Sequence, residues 1–322
     1  MLKNLAVMLL AAAVLSGCGS RRHKDSTAAE ARGASFAPAT VDTRHNAFVV
    51  HNLVYSQAKG PRSIEQTLDL YLPAFEKPPY PVIIWVHGGT WMYGDKNEDC
   101  LACQHLLGKY AVASVNYRLD TEASFPSQIY DLKAAIRFLH ANSHKYKLDG
   151  DRFGIWGVSA GAHLAALAGT SGDVKKLEGD EGFSKYSSKL QAVCDWSGPT
   201  DFNTAQSQAP PYCKIKFTGQ SSPIWVLMGG KMDSKSLAAA SPVTYVSKDD
   251  PPFLMMHGDK DDAIPPLQSQ ELYDALKKEG VDARYLLLPG FGHALGTPGQ
   301  IDIVKQFFDD KLLSPKASRG AR

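Results

Sequence analysis

Strand-like and helix-like patterns alternate along the chain from about residue 46 onward. Short apolar runs predict strands buried on both faces, and apolar residues three or four apart predict helices. An opening pair of segments, 52–55 and 67–72, alternates apolar and polar residues as an antiparallel hairpin does. The later predicted strands are Pro81–Val86, Ala111–Tyr117, Phe153–Val158, Leu190–Trp196, Pro252–His257 and Ala283–Leu288. The predicted helices are Glu98–Gly108, Ser127–Asn142, Ala160–Ala168, Leu267–Lys278 and Ile301–Leu312.

This order of elements predicts an α/β fold with a mostly parallel central sheet and helices on both faces. Residues 46–313 are assigned to one domain, and 314–322 to a disordered tail. Between about residues 200 and 240 the pattern is irregular and too long for a simple connection. We therefore expect a small cap or lid there, over the carboxyl edge of the sheet.

The composition indicates a globular protein but does not identify a binding partner. The 322 residues are 44% hydrophobic and 21% charged, which is typical of a soluble globular protein. The net charge is only +2, so no strong field points to a polyanion, and we expect no nucleic-acid partner.

The first residues predict export. Lys3 precedes an apolar run, Leu5 to Leu15, that is too short to cross a bilayer but suits the core of a signal peptide. The run ends at Leu-Ser-Gly-Cys18, which resembles the lipobox of bacterial lipoproteins. The resemblance implies cleavage before Cys18 and its lipidation, with Gly19 favouring the outer membrane, at the cell surface or on the periplasmic side. A plain secretory signal is the alternative, and residues 18–45 read as a flexible tether after the signal peptide, 1–17.

Four cysteines remain after the lipidation candidate, and an even number in an exported chain indicates disulfides. We expect Cys194 and Cys213 to be bridged in preference to the closer pair, Cys100 and Cys103. The closer pair could instead be a redox C-x-x-C, although no thioredoxin-like context surrounds it. No further ligands are spaced for zinc, so no metal site is predicted.

A G-x-S-x-G motif places Ser159 between a predicted buried strand and a small-residue helix. That context is the one a nucleophile elbow requires, because flanking glycines permit the tight turn that lifts the hydroxyl off the sheet. The alternative without a catalytic role is a buried serine in an ordinary strand–helix turn. The context favours Ser159 as a nucleophile.

A serine hydroxyl needs a base to take its proton. Among ten histidines, His293 follows a predicted strand and lies in a glycine-rich loop, where its imidazole can reach the carboxyl edge of the sheet. His163 is interpreted as packed into the fold, and His257 as shaping the turn after its strand. His293 is therefore the predicted base.

An acid must orient that base, and three carboxylates follow the strand ending at His257. The chain order Ser159, Asp261, His293 is the one expected for this arrangement. Asp261 is our choice, while Asp262 and, less well, Asp259 stay open, because spacing alone does not separate the first two.

Candidate N–H donors and pocket residues complete the predicted site. The turn His87-Gly-Gly-Thr-Trp91 follows a buried strand, where half of an oxyanion hole is built. Its alternative is a plain strand-end turn. The predicted donors are Ala160, Gly89 and Thr90. Trp91, Tyr93 and Trp196 are candidates to line a substrate pocket, although aromatic residues of this kind more often belong to the core.

Taken together these stretches resemble the α/β-hydrolase superfamily, in its bacterial branch of feruloyl and acetyl-xylan esterases and lipase-like carboxylesterases. Further matching segments are Gly94-Asp-Lys96, Ser114-Val-Asn-Tyr-Arg118, Ser197-Gly-Pro-Thr-Asp201, Ser241-Pro-Val and His257-Gly-Asp-Lys-Asp261. The resemblance implies a triad of Ser159, Asp261 and His293, and no cofactor. Thr90 stands where related esterases usually have a third glycine, which puts its role as a donor in question.

The function expected from these residues is cleavage of a small-molecule or carbohydrate-linked carboxylic ester through an acyl-enzyme, with a lipid anchor at Cys18. A serine peptidase of the same fold is the alternative enzyme, because a triad does not distinguish ester from amide. A binding protein that kept the fold and lost the chemistry is the alternative outside enzymes. The sequence leaves the oligomeric state open.

Overall fold

The computed structural model describes residues 40–42, 47–56, 66–98, 100–172 and 174–314. The predicted signal peptide, Cys18, most of the tether and the tail from residue 315 lie outside the described residues. The structure differs from the predicted tether at one point. Thr40–Asp42 form a strand that pairs antiparallel with the next one, so the folded part begins before residue 46.

Nine strands and nine α-helices make up the described chain. The strands are β1 (Thr40–Asp42), β2 (Ala47–Val54), β3 (Thr67–Pro73), β4 (Tyr80–Val86), β5 (Ala111–Val115), β6 (Leu148–Val158), β7 (Ala192–Trp196), β8 (Phe253–Gly258) and β9 (Ala283–Leu288). The helices are α1 (Leu101–His105), α2 (Ser127–Ala141), α3 (Ser143–Tyr146), α4 (Ala160–Thr170), α5 (Ala205–Gln208), α6 (Pro223–Leu227), α7 (Ser234–Ala240), α8 (Leu267–Lys278) and α9 (Pro298–Phe308).

All nine strands form one sheet in the order β1-β2-β3-β5-β4-β6-β7-β8-β9. The first three strands and the β3–β5 pair are antiparallel, which confirms the predicted opening hairpin. From β5 across to β9 every neighbouring pair is parallel. The predicted fold class, a mostly parallel sheet with covering helices, is therefore confirmed.

Alternate residues of the central strands enter different apolar clusters, one on each face of the sheet. In β4, Ile84 belongs to the cluster covered by α2, α4 and α8, while Trp85 belongs to the cluster covered by α1 and α9. Gly154 in β6 allows α9 to pack closely against the sheet, because a Cβ there would lie 2.8 Å from the ring of Phe308. Helices on both faces explain why the strands read as continuous apolar runs.

Two local predictions were wrong. The helix expected over Glu98–Gly108 is only α1, which begins after Cys100 and ends before Gly108, whose φ of +117° is unsuited to a helix. The disulfide joins Cys100 to Cys103, not Cys194 to Cys213. Cys194 is a buried free thiol in β7, and Cys213 is a partly exposed free thiol in the connection after that strand.

The parallel strands end at one edge of the sheet, and the predicted site residues follow those ends. β4 leads into His87-Gly88-Gly89, β6 into Ser159, β8 into the loop of Asp261, and β9 into the loop of His293. In doubly wound sheets ligands bind outside this edge. Across the described ranges, none of the helices combines the length and apolar character that a membrane crossing needs.

Candidate active site

Ser159 occupies a strained turn between β6 and α4. Its φ is +54° and its ψ is −121°, a conformation that residues with a side chain rarely adopt. A Cβ at Gly157 would lie 2.2 Å from the carbonyl oxygen of Gly161, and one at Gly161 would lie 2.2 Å from the carbonyl oxygen of Val86. Only glycine fits at both positions, so the motif reflects the packing of α4 against the sheet.

Asp261 is fully buried in the loop after β8. Its Oδ1 accepts hydrogen bonds from the backbone N–H groups of Ala263 and Ile264, at 2.8 and 2.9 Å. Its Oδ2 lies 2.8 Å from Nδ1 of His293 and 3.1 Å from Nε2 of His257. Burial would raise the pKa of Asp261, but the hydrogen bonds from the two imidazoles outweigh it and hold that pKa well below its usual range.

His293 is held by Asp261 through one ring nitrogen. Because the carboxylate accepts at Nδ1, that nitrogen carries the proton and Nε2 is left to act as an acceptor. Among the described residues no direct hydrogen bond joins Ser159 to His293. Such bonds are often long before substrate binds, so this arrangement still suits a nucleophile and its base.

The structure shows which of the three carboxylates contacts His293, a choice that residue spacing alone did not make. Asp262, next to Asp261, pairs with the exposed ammonium of Lys214 and is 37% exposed in its side chain. Asp259 accepts from the backbone N–H of Gly290 through Oδ1. Only Asp261 contacts His293.

His257, which the sequence predicted only to shape the turn after its strand, also lies against Asp261. It is fully buried, and its Nε2 lies 3.1 Å from both Asp261 Oδ2 and the carbonyl oxygen of Ile264. Its Nδ1 lies 2.8 Å from the hydroxyl of Ser269. The signal in the sequence is its position at the end of the strand, four residues before the acid.

The turn after β4 and the start of α4 include three backbone N–H groups that have no acceptor in the part of the chain that the structure describes. They belong to Gly89, Thr90 and Ala160, the predicted donors. A Cβ at Gly88 would lie 3.4 Å from Cβ of Ser159, so the β4 turn and the elbow are in contact. Free N–H groups at such a junction are suited to stabilise an oxyanion.

A narrow apolar pocket with a cavity volume of only about 10 Å³, partly open to solvent, lies against Ser159. Its walls are formed by Thr90, Trp91, Ala160, Pro199, Ile215, Phe217, Pro223, Ile224 and Ile264. Trp91 therefore lines the pocket, as predicted, whereas Tyr93 is 63% exposed outside it. The prediction for Trp196 was wrong, because Trp196 is buried against Trp156 on the other face of the sheet.

The connection between β7 and β8 forms part of the wall of this pocket and also contacts the loop of Asp261. It carries α5, α6 and α7 and supplies Ile215, Phe217 and Ile224 to the pocket. Lys214 donates its backbone N–H to the carbonyl oxygen of Asp262 at 2.6 Å, next to Asp261. This segment corresponds to the irregular region that the sequence indicated as a cap.

Nothing in the described residues suggests a metal centre. Within the ranges given above, no three His, Cys, Asp or Glu side chains are grouped so that they could hold a metal ion.

Comparison with known proteins places the chain in a family. The BD-FAE family model matches residues 68–276, more than half of the chain. The chain belongs to the BD-FAE family. The matched region contains Ser159 and Asp261, while His293 lies beyond it.

The known proteins to which this BD-FAE protein is similar include several esterases. Esterase LipQ of Mycobacterium tuberculosis (strain ATCC 25618 / H37Rv) is 32% identical over 241 residues, covering 73% of this chain and 55% of that protein. A truncated carbohydrate esterase from gut microbiota is 30% identical, with a TM-score of 0.77, covering 85% of this chain and 99% of that one. An acetyl ester-xyloside bifunctional hydrolase from Caldicellulosiruptor lactoaceticus is 25% identical, with a TM-score of 0.61, covering 76% and 85%. The chain spans about half the length of the curated relatives it matches. The fold is that of the α/β-hydrolase esterases.

Proposed function

We propose that this chain hydrolyses carboxylic esters, with Ser159 as nucleophile, His293 as base and Asp261 as the acid that orients His293. The observation that carries the proposal is the hydrogen bond between Asp261 and His293 at the sheet edge where the strained Ser159 turn ends β6. The similarity to esterases supports the same reaction class.

The proposed reaction has two steps. Nε2 of His293 takes the proton of Ser159 as Oγ attacks the ester carbonyl, and the negative charge that develops on the carbonyl oxygen is stabilised by the free N–H groups of Gly89, Thr90 and Ala160. His293 then gives the proton to the departing alkoxide, which leaves an acyl group on Ser159. Water, activated by the same imidazole, cleaves that acyl-enzyme and restores the serine.

The pocket supports a small acyl group as substrate. A cavity of only about 10 Å³, lined by apolar side chains, suits an acetyl or similarly short chain better than a feruloyl group. Carbohydrate esterases among the structural relatives favour a carbohydrate-linked acetyl ester.

A burst experiment tests the reaction. Rapid mixing with 4-nitrophenyl acetate should release nitrophenol in a burst equal to the enzyme concentration, and Ser159→Ala should abolish both burst and turnover. Competition with acetylated xylan, a methyl ferulate and a peptide then identifies the natural class of substrate. Full turnover by the Ser159→Ala variant would refute the serine mechanism, and preference for the peptide would replace the esterase with a peptidase.

We also propose that the protein is exported and carries a lipid at Cys18, attached to the outer membrane. The lipobox-like residues before Cys18 and the apolar run ahead of them support this. Growth with an alkyne-labelled palmitate should label the wild type and fractionate it with membranes, whereas Cys18→Ser should be unlabelled. A secreted, unlabelled wild type would favour the plain secretory signal.

A further inference from the structure

The turn that carries two of the proposed oxyanion donors is strained at consecutive residues. Thr90 has a φ of +50° and Trp91 a φ of +61°, and neither is glycine. Such conformations cost free energy and persist only where the surroundings impose them. Something must therefore hold this turn in place.

The side chain of Trp91 is the anchor of the turn. It is 3% exposed, and its indole packs edge-on against the rings of His163, at 5.1 Å, and Phe202, at 5.7 Å. Its Nε1 donates a hydrogen bond to Nδ1 of His163 at 3.2 Å. Its carbonyl oxygen accepts from the backbone N–H of Asp120.

The partners of His163 fix its protonation state. An indole N–H only donates, so Nδ1 of His163 must accept, and the ring proton lies on Nε2. That nitrogen donates to the carbonyl oxygen of Ala240 at 2.8 Å, at the last residue of α7 in the cap. The backbone N–H of His163 donates to the carbonyl oxygen of Ser159 at 3.0 Å. One buried imidazole thus joins the nucleophile's helix, the turn after β4 and the cap.

We propose that His163 is a positioning residue for the oxyanion hole, which holds Trp91, and through it the strained turn bearing the Gly89 and Thr90 donors, by accepting the indole N–H. The inference rests on the proposed esterase function. It goes further by giving a role in the chemical step to a histidine whose imidazole contacts no residue of the proposed triad.

Two substitutions at His163 separate its two hydrogen bonds. In His163→Asn the side-chain oxygen replaces Nδ1 and can still accept from Trp91, while the bond to Ala240 is lost. In His163→Gln the amide nitrogen replaces Nε2 and can still donate to Ala240, while the acceptor for Trp91 is lost. Trp91→Phe removes the indole donor and keeps an aromatic ring. Trp85→Phe is the matched control, because Trp85 is equally buried, its indole N–H has no partner among the described residues, and it lies on the other face.

Steady-state kinetics with 4-nitrophenyl acetate gives the first readout. We expect kcat to fall about tenfold in Trp91→Phe and in His163→Gln, the size of one lost hydrogen bond, with KM little changed. His163→Asn should keep most of the wild-type kcat, and Trp85→Phe all of it. The double variant Trp91→Phe/His163→Gln should be no slower than either single one. Equal losses in the Asn and Gln variants, unchanged kcat in all of them, or a double variant slower by the product of the two would each overturn the proposal.

Indole N–H resonances give a second readout that does not depend on turnover. The chain has five tryptophans, and Trp91→Phe identifies the signal of Trp91 by its disappearance. That signal should shift in His163→Gln and stay nearly in place in His163→Asn. If the wild type hydrolyses no ester but these shifts are seen, the proposed function fails while the hydrogen bond to His163 stands. If the shifts are absent in an active enzyme, the positioning role fails alone.

Discussion

Asp261 and Asp262 are neighbours in the chain but occupy opposite environments. Asp261 is fully buried, accepts hydrogen bonds from two backbone N–H groups and from His293, and lies 3.1 Å from Nε2 of His257. Asp262 faces solvent beside Lys214, where an ion pair contributes little. At the scale of single residues, local hydrogen bonding therefore decides which carboxylate can serve the base.

This contrast gives a matched pair of variants. Asp261→Ala should lower kcat by several orders of magnitude, since the imidazole loses both its orientation and the charge that stabilises its protonated form. Asp262→Ala should change kcat by less than about twofold. Stopped-flow assays of both variants, with folding checked by circular dichroism, measure the difference. If Asp262→Ala were inactive and Asp261→Ala active, Asp262 and not Asp261 would be the acid.

The glycines on either side of Ser159 allow α4 to pack closely against the sheet. Gly161→Ala would place a methyl group 2.2 Å from the carbonyl oxygen of Val86, so α4 would have to move off β4. We expect a loss of about 1–3 kcal/mol in the free energy of unfolding, together with lower activity. Gly299→Ala, in α9, meets nothing within 4 Å and should be neutral or stabilising by up to about 1 kcal/mol. Urea unfolding compares the two, and equal stabilities would contradict the contact.

The cap helix α6 forms part of the wall of the pocket. Ile224 lines the pocket, whereas Val226 of the same helix does not. Ile224→Ala should therefore raise kcat/KM for butyrate and hexanoate esters relative to acetate by about tenfold. Val226→Ala removes a comparable side chain and should leave the ratio unchanged. A ratio that responds equally to both substitutions would mean that α6 does not bound the acyl group.

Across the whole molecule, the sequence predicted what depends on periodicity and on strand ends. The parallel strands, the opening hairpin and the edge on which Ser159 and His293 lie all follow from apolar runs and their order. Side-chain contacts could be predicted less well from the sequence. The buried position of Trp196 depends on which face of the sheet its side chain points to, and the Cys100–Cys103 bridge depends on how closely the chain turns between the two cysteines. The contact of His257 with Asp261 depends on a loop conformation that residue spacing does not specify.

The stability of the whole protein should depend on pH through His163. Full burial lowers the pKa of His163 to about 4, below its ordinary 6.5. Above pH 6.5 the residue is neutral in both the folded and the unfolded chain. As pH falls from 6.5 towards 4 only the unfolded chain takes up the proton, so stability is lost, by about 3 kcal/mol in all. Urea midpoints across this range should fall less in His163→Asn than in the wild type. Parallel curves would contradict the prediction.

The loop that carries the proposed base follows β9, a strand at the edge of the sheet. β9 pairs only with β8 among the described strands, and it is half exposed along its length. Local opening requires the least free energy at such a margin, so mild heating should release the loop of His293 while β4 and β6 still keep the nucleophile in place. Activity should then be lost reversibly some degrees below the melting temperature of the core. A covalent cross-link between β8 and β9 should raise the temperature at which activity is lost without altering the chemistry.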